Sequence, residues 1–168
     1  MDDRRRRFEA QALPHLDAAY NLARWLSRSP ADAEDIVQDA MLRAFRGFDG
    51  FRGENAKAWL LTIVRNCWRN SRVTEKRHEH APLPEDDYIP SDADSPEHAA
   101  LAASEGRKLN EAIAGLPAEF REALILRELE DMSYRDIAEI TGVPIGTVMS
   151  RLARARGLLK AKWAAGSA

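Results

Sequence analysis

The stretch from Ser133 to Arg156, SYRDIAEITGVPIGTVMSRLARAR, decides the reading of the whole chain. Ser133 and Asp136 have the spacing of a capping box, so a short helix starts there. Its Ile137, Ala138 and Ile140 form an inward side. Gly142 is free to take the left-handed conformation that ends a helix, and Pro144 fixes the first turn of the next one. In that second helix Val148, Leu152, Ala155 and Leu159 make a buried stripe, and Thr147, Ser150, Arg151 and Arg154 make an opposing outer one. Ala138 is small enough for two helices to approach, Gly142 makes the turn and Val148 closes the core, with the spacing of a helix-turn-helix. Such a motif offers the start of its second helix to the DNA major groove, where Thr, Ser and Arg reach base edges and phosphates. The alternative is a helical hairpin whose basic face is merely solvated.

Working outward, Gly115-Leu116-Pro117 reads as a helix stop and Ser95-Pro96-Glu97 as a helix start. Between Pro117 and Ser133 a further helix, about Ala118 to Leu129, carries Phe120, Leu124 and Leu126. Upstream, from His78 to Pro96, four prolines alternate with acids. Prolines remove helical hydrogen bonds and like charges repel, so 78–95 is expected to be an extended acidic linker between two small helical domains, 1–77 and 96–168. The fold class is all-α.

The 168 residues include 25 Lys+Arg and 27 Asp+Glu, a formal net charge of −2 that conceals segregation. Residues 1–77 carry +4, 78–106 carry −8 with no Lys or Arg, and 107–168 carry +2. The run 147–163 has five basic residues and no acid. Any polyanion partner is therefore a matter for separate segments. The 45% hydrophobic content supports a core, and no stretch approaches the roughly 20 apolar residues of a membrane span. With a polar N-terminus and a single cysteine, Cys67, a cytoplasmic location is expected.

The N-terminal part reads as three helices. The first runs from Phe8 to about Arg28, with Leu13, Leu16, Tyr20 and Ala23 as its apolar residues and a bend or split at Pro14. Ser29-Pro30-Ala31-Asp32 starts the second, whose stripe is Ile36, Ala40 and Ala44 flanked by Val37, Met41 and Phe45; it stops at the glycines from Gly47 to Gly53. The third, about Ala56 to Arg77, has two faces. Leu60, Ile63, Val64, Cys67 and Trp68 are apolar, whereas Thr62, Arg65, Arg69, Arg72 and Lys76 recur on the opposite side. With Trp59, Asn66 and Asn70 nearby, the basic side suits phosphates and bases; alone, it is equally a solvated face. Cys67 has no basic partner at helical spacing and reads as core.

Leu116 to Arg156, with its LPxxxRE start and GVPIGTVMSRLARAR helix, closely resembles region 4 of bacterial extracytoplasmic-function sigma factors. The N-terminal half resembles region 2 of that family. There, Asp32 to Asp39 looks like the helix that grips the polymerase clamp, and Ala58 to Asn66 looks like the start of the helix that meets the −10 element. Family members often carry Asp at the place of Asn70 and a basic residue at that of Met149. The resemblance implies an alternative sigma factor without catalytic residues, cofactor or metal. It would bind core RNA polymerase through the clamp coiled coil and the flap, and would recognise promoter DNA under an anti-sigma factor. Residue by residue it implies that Asp35, Gln38 and Asp39 contact the basic coiled coil. Phe51, Arg52 and Asn55 would belong to a loop that receives a flipped base. Thr62, Arg65, Asn66 and Arg69 would hold the −10 strands, and Thr147, Ser150, Arg151 and Arg154 would read or clamp the −35 duplex. The acidic linker would thread through the polymerase.

Two other classes compete. A helix-turn-helix repressor or activator would bind DNA without polymerase. An enzyme would draw on His78, Glu79, His80 and His98, but HEH lacks the helical spacing of a zinc pair.

Overall fold

A computed structural model describes residues 2–27, 29–75 and 96–166. These residues form eight α-helices and two 3₁₀ turns, with no strand among them. The N-terminal half contains α1 (Asp3–Ala12), a turn at Leu13–His15, α2 (Leu16–Leu26), α3 (Pro30–Arg46), a turn at Phe48–Gly50 and α4 (Ala56–Glu75). The C-terminal half contains α5 (Pro96–Ala114), α6 (Ala118–Glu128), α7 (Tyr134–Thr141) and α8 (Ile145–Gly166). The expected linker, 78–95, lies outside the described residues, as do Arg28 and Lys76.

The predicted first helix is two helices. Pro14 opens a 3₁₀ turn between α1 and α2, because its ring and missing N–H forbid a continuous α-helical ladder. The break changes which residues face inward. Leu13, Leu16 and Tyr20, expected in the apolar stripe, are exposed, while Ala19, Leu22, Ala23 and Leu26 are buried. Leu129, expected just inside α6, likewise follows the helix and is exposed.

The other local expectations match. The Ser29 hydroxyl accepts from the Asp32 N–H at 3.0 Å with Pro30 in the first helical position. This satisfies one of the orphan donors at the start of α3. The Ser133 hydroxyl accepts from the Asp136 N–H at 3.0 Å in the same way. Gly142 ends α7 at φ 71°, and its N–H reaches the Ala138 carbonyl. There a side chain would cost about 1–2 kcal/mol of backbone strain. The turn aims α8 across α6 and α7, where Val148, Leu152 and Ala155 are buried.

In the N-terminal half, Ala33, Ile36, Ala40 and Ala44 of α3 meet Leu60, Val64, Cys67 and Trp68 of α4 over the buried face of α2. Phe8, Phe45, Phe48, Phe51 and Trp59 form a chain of aromatic contacts beside this core. The two halves are packed together: α4 lies against α7, and α2 against α6. Leu61, absent from the predicted apolar face of α4, is fully buried there.

Leu152 is 1% exposed in the α6–α7–α8 core, so Leu152→Ala should lower the unfolding free energy by about 2–5 kcal/mol. Urea denaturation followed by circular dichroism measures it, and a loss well below that range would remove Leu152 from the core. Burial, together with the Asp39 carboxylate beside it, pushes the Cys67 thiol up to about 11. A thiol whose proton is held that tightly has little thiolate at pH 8. Iodoacetamide at pH 8 should therefore leave Cys67 unmodified in the folded chain and alkylate it in urea, as mass spectrometry would show. Rapid labelling of the folded protein would contradict the assignment.

Candidate nucleic-acid and polymerase interface

On α3, Ile36, Val37 and Ala40 face the core, while Asp35 and Gln38 point outward and are exposed. Asp39 sits at the margin, paired with Arg43 one turn on at 3.2 Å. Asp32, Asp35, Ile36, Asp39, Cys67 and Ser71 line a depression of about 290 Å³. Its three carboxylates give the outer surface of α3 a concave acidic edge.

The loop before α4 is more constrained than its sequence suggests. Asn55 adopts φ 47°, a left-handed conformation that Asn tolerates better than most residues. Its side-chain oxygen accepts from the Ala58 N–H at 3.1 Å, so Asn55 caps α4. Phe51 leans on Trp59 with ring centroids 4.7 Å apart, while Arg52 is exposed. Of the three residues assigned to a base-receiving loop, one is therefore a cap, one belongs to the aromatic cluster and one is open to solvent.

Along α4 the predicted basic face divides. Asn66, Arg69 and Arg72 are exposed, and Arg72 lies over the Trp68 ring at 5.0 Å. The Thr62 hydroxyl donates to the Ala58 carbonyl at 2.7 Å. Arg65 turns into the seam between the halves. Its Nε is 2.8 Å from Glu122 Oε1 of α6, with side-chain exposures of 12% and 2%. Burial pushes the Glu122 carboxyl above its ordinary value, while attraction and a hydrogen bond from Arg65, and the charges of Arg151 and Arg69, pull it back. Removing one member of such a pair strands a buried charge, at about 3–5 kcal/mol.

A second carboxylate crosses the same seam. Glu130, in the turn between α6 and α7, accepts from Asn21 Nδ2 at 2.8 Å and lies 3.3 Å from Lys57 Nζ. Lys57 also donates to the Glu130 carbonyl at 2.6 Å. Lys57, Leu61 and Arg65 thus form a third side of α4, one residue per turn, facing the C-terminal half. Glu122, Glu130, Lys57 and Asn21 are the residues that sequence reading missed. The available signal was the i, i+4, i+8 spacing on α4, which an amphipathic reading with only two faces absorbs.

On α8, Ser150 and Arg154 are exposed and Thr147 is half-buried. The Ser150 hydroxyl donates to the Gly146 carbonyl at 3.0 Å. Arg151 is half-buried and close enough to Glu122 to act on it. The predicted outer stripe is therefore one flank of the helix. Ile145 and Met149 are exposed on the other, beside Arg156, which pairs with Glu128 at 2.8 Å. His78, Glu79 and His80 lie outside the described residues, as does the side chain of His98.

Both halves have counterparts among known proteins. The profile of sigma-70 region 2 matches residues 13–78, and that of sigma-70 region 4 matches residues 106–159. The chain is 36% identical over 154 residues to the ECF RNA polymerase sigma-E factor of Haemophilus influenzae, covering 84% of this chain and 78% of that one. It is 35% identical over 147 residues to the ECF RNA polymerase sigma factor SigE of Mycolicibacterium smegmatis, covering 87% of this chain and 57% of that one. The sigma factor RpoE of Bartonella quintana, solved in complex with the anti-sigma factor NepR, matches with a TM-score of 0.75 at 32% identity, over 93% of this chain and 96% of that one. An acidic-and-basic bundle half followed by a helix-turn-helix half, in this order and at this similarity, places the chain in the extracytoplasmic-function family of RNA polymerase sigma factors.

Proposed function

We propose that the chain is an alternative sigma factor that binds core RNA polymerase and directs initiation at promoters with particular −35 and −10 elements. The observation that carries this reading is the pairing of two surfaces in one chain. The helix-turn-helix of α7 and α8 carries Ser150 and Arg154 on an open flank, and α3 carries an acidic concave edge at Asp32, Asp35 and Asp39, with Gln38 exposed beside it. A repressor needs the first surface only. The acidic edge suits the basic coiled coil of the polymerase clamp, and the C-terminal half suits the flap.

In this reading 1–77 binds polymerase and the −10 element, 78–95 is the connecting segment, and 96–168 binds the −35 element. Thr62, Arg65, Asn66 and Arg69 hold the −10 strands, with Phe51, Arg52 and Asn55 in the adjoining loop. Thr147, Ser150, Arg151 and Arg154 face the −35 duplex. The chain is a non-catalytic subunit that acts in the cytoplasm. The Bartonella quintana relative was solved with an anti-sigma factor, which supports control of this chain by a partner of that kind.

Run-off transcription with core polymerase tests the function directly, and promoter-specific transcripts are expected. Asp35→Lys should weaken core binding by about tenfold or more, since tenfold corresponds to only 1.4 kcal/mol and like charges facing each other across an interface cost several. Co-purification measures it alongside circular dichroism, and unchanged core affinity in a folded variant would remove Asp35 from that interface.

An arginine paired with a guanine edge contributes about 1–3 kcal/mol of discrimination, whereas a phosphate contact adds affinity without preference. Arg151, nearer the start of α8, is expected to supply part of the sequence preference, and Arg154 mostly phosphate affinity. Transcription of a −35 library with each Arg→Ala variant distinguishes them. If Arg154→Ala reorders the promoters while Arg151→Ala lowers all equally, the roles are reversed.

A further inference from the structure

We propose that Arg4 is a positioning residue for −10 recognition: from α1 it pins the turn at Phe48–Gly50 and so holds the loop that follows, 51–55, in the shape that receives a flipped base. The proposal rests on the assignment of Phe51, Arg52 and Asn55 to that loop.

Such a loop cannot hold itself. It follows a turn flanked by Gly47 and closed by Gly50, and Gly53 takes φ 80° with open space where a side chain would stand. Glycine loses more conformational freedom on ordering than any other residue. A loop built this way meets a base ready-shaped only where other elements fix it. At its far end, Asn55 caps α4 and Phe51 leans on Trp59. Arg52, Gly53 and Glu54 between them are exposed. The near end is fixed from α1.

Arg4 makes three contacts there. Its Nη2 donates to the Phe45 carbonyl at 2.5 Å, in the last turn of α3, and its Nε donates to Asp49 Oδ1 at 3.1 Å, in the turn itself. The guanidinium carbon lies 4.5 Å from the centre of the Phe45 ring. The first contact sets a cation on a helix-end carbonyl, which the α3 dipole also favours. One helical turn on from Arg4, buried Phe8 meets Phe45 and Phe48 edge-on, with ring centroids 5.2 and 5.6 Å apart. Phe48 in turn stacks on Phe51 at 6.1 Å. The path from α1 to the loop is therefore continuous. Arg5 and Arg7, by contrast, pair inside α1 with Glu9 and Asp3. Because Asp49 is exposed, its ion pair with Arg4 adds little stability. What Arg4 supplies is the direction in which the chain leaves α3, and that takes a planar fork and a ring-stacking face together, which a lysine lacks.

The test uses the holoenzyme assembled with core polymerase. Its probe is a fluorescein-labelled single strand carrying the −10 region of a promoter found by run-off transcription, and anisotropy reads its affinity. A series of such strands lacks one base at a time while keeping every phosphate. With the unaltered chain, at least one position should lose about tenfold or more, because stacking of a base on aromatic side chains is worth about that much. Arg4→Ala should shrink that penalty by about threefold or more, the factor lost when a binding-competent pocket forms only about a third of the time. Its affinity for core polymerase should not change. Arg4→Lys should fall between the two, and Arg5→Ala should match the unaltered chain. If Arg4→Ala loses helicity by circular dichroism, Asp49→Asn carries the same expectation from the other side of the contact. A folded variant that keeps the full penalty, even if it binds every strand less tightly, overturns the positioning role and leaves the loop assignment standing. An unaltered chain with no base-sensitive position overturns the loop assignment, and the proposal with it.

Discussion

The arrangement of this chain depends on a charged pair held almost out of water. Arg65 and Glu122 come from different halves and meet in the seam between them. Desolvating two ions consumes most of what their attraction returns, so the pair adds little net stability. It fixes position instead. A sliding or rotation of α6 over α4 would leave a buried charge unpaired, which is far costlier than a shifted apolar contact. The apolar contribution around Leu61 favours contact between the halves in general, and the two carboxylates select one contact in particular.

The local chemistry of the helix ends makes that selection possible. Arg121, adjacent to Glu122, donates from Nη1 to the carbonyls of Ala114 and Leu116 at 3.0 and 3.2 Å, tying the start of α6 to the end of α5. Arg127 donates to the Met132 carbonyl at 2.9 Å across the turn that carries Glu130. Asp131, in that turn, takes φ 53°. The acids that cross the seam therefore stand on a segment braced at both ends.

A basic surface carries a cost of its own. Like charges on α4 and α8 repel, and exposed arginines attract any nucleic acid at low salt. In the seam, the Glu122 carboxylate offsets part of this repulsion by pairing with Arg65. The acidic edge of α3 belongs to a separate depression, lined by Asp32, Asp35 and Asp39 together with Cys67 and Ser71 of α4.

The amino-acid sequence by itself determined the elements that local rules govern. Ser29 with Asp32, Ser133 with Asp136, Gly142 and Pro144 act through backbone groups only a few residues away, so their caps and turns are legible without any knowledge of the rest. Periodicity likewise placed Ile36, Ala40, Val148 and Leu152 in cores. It failed at Leu13, Leu16 and Tyr20, because the turn at Pro14 starts a new helix whose inward phase is set by packing against α3 and α4. Only the tertiary structure decided that α4 has three sides, that Asn55 is a cap and that Arg65 is covered. An arginine on a helix looks the same in sequence whether it faces water, a phosphate or a carboxylate 57 residues away. The difference is made by desolvation and by a partner from another helix, and neither is encoded in local spacing.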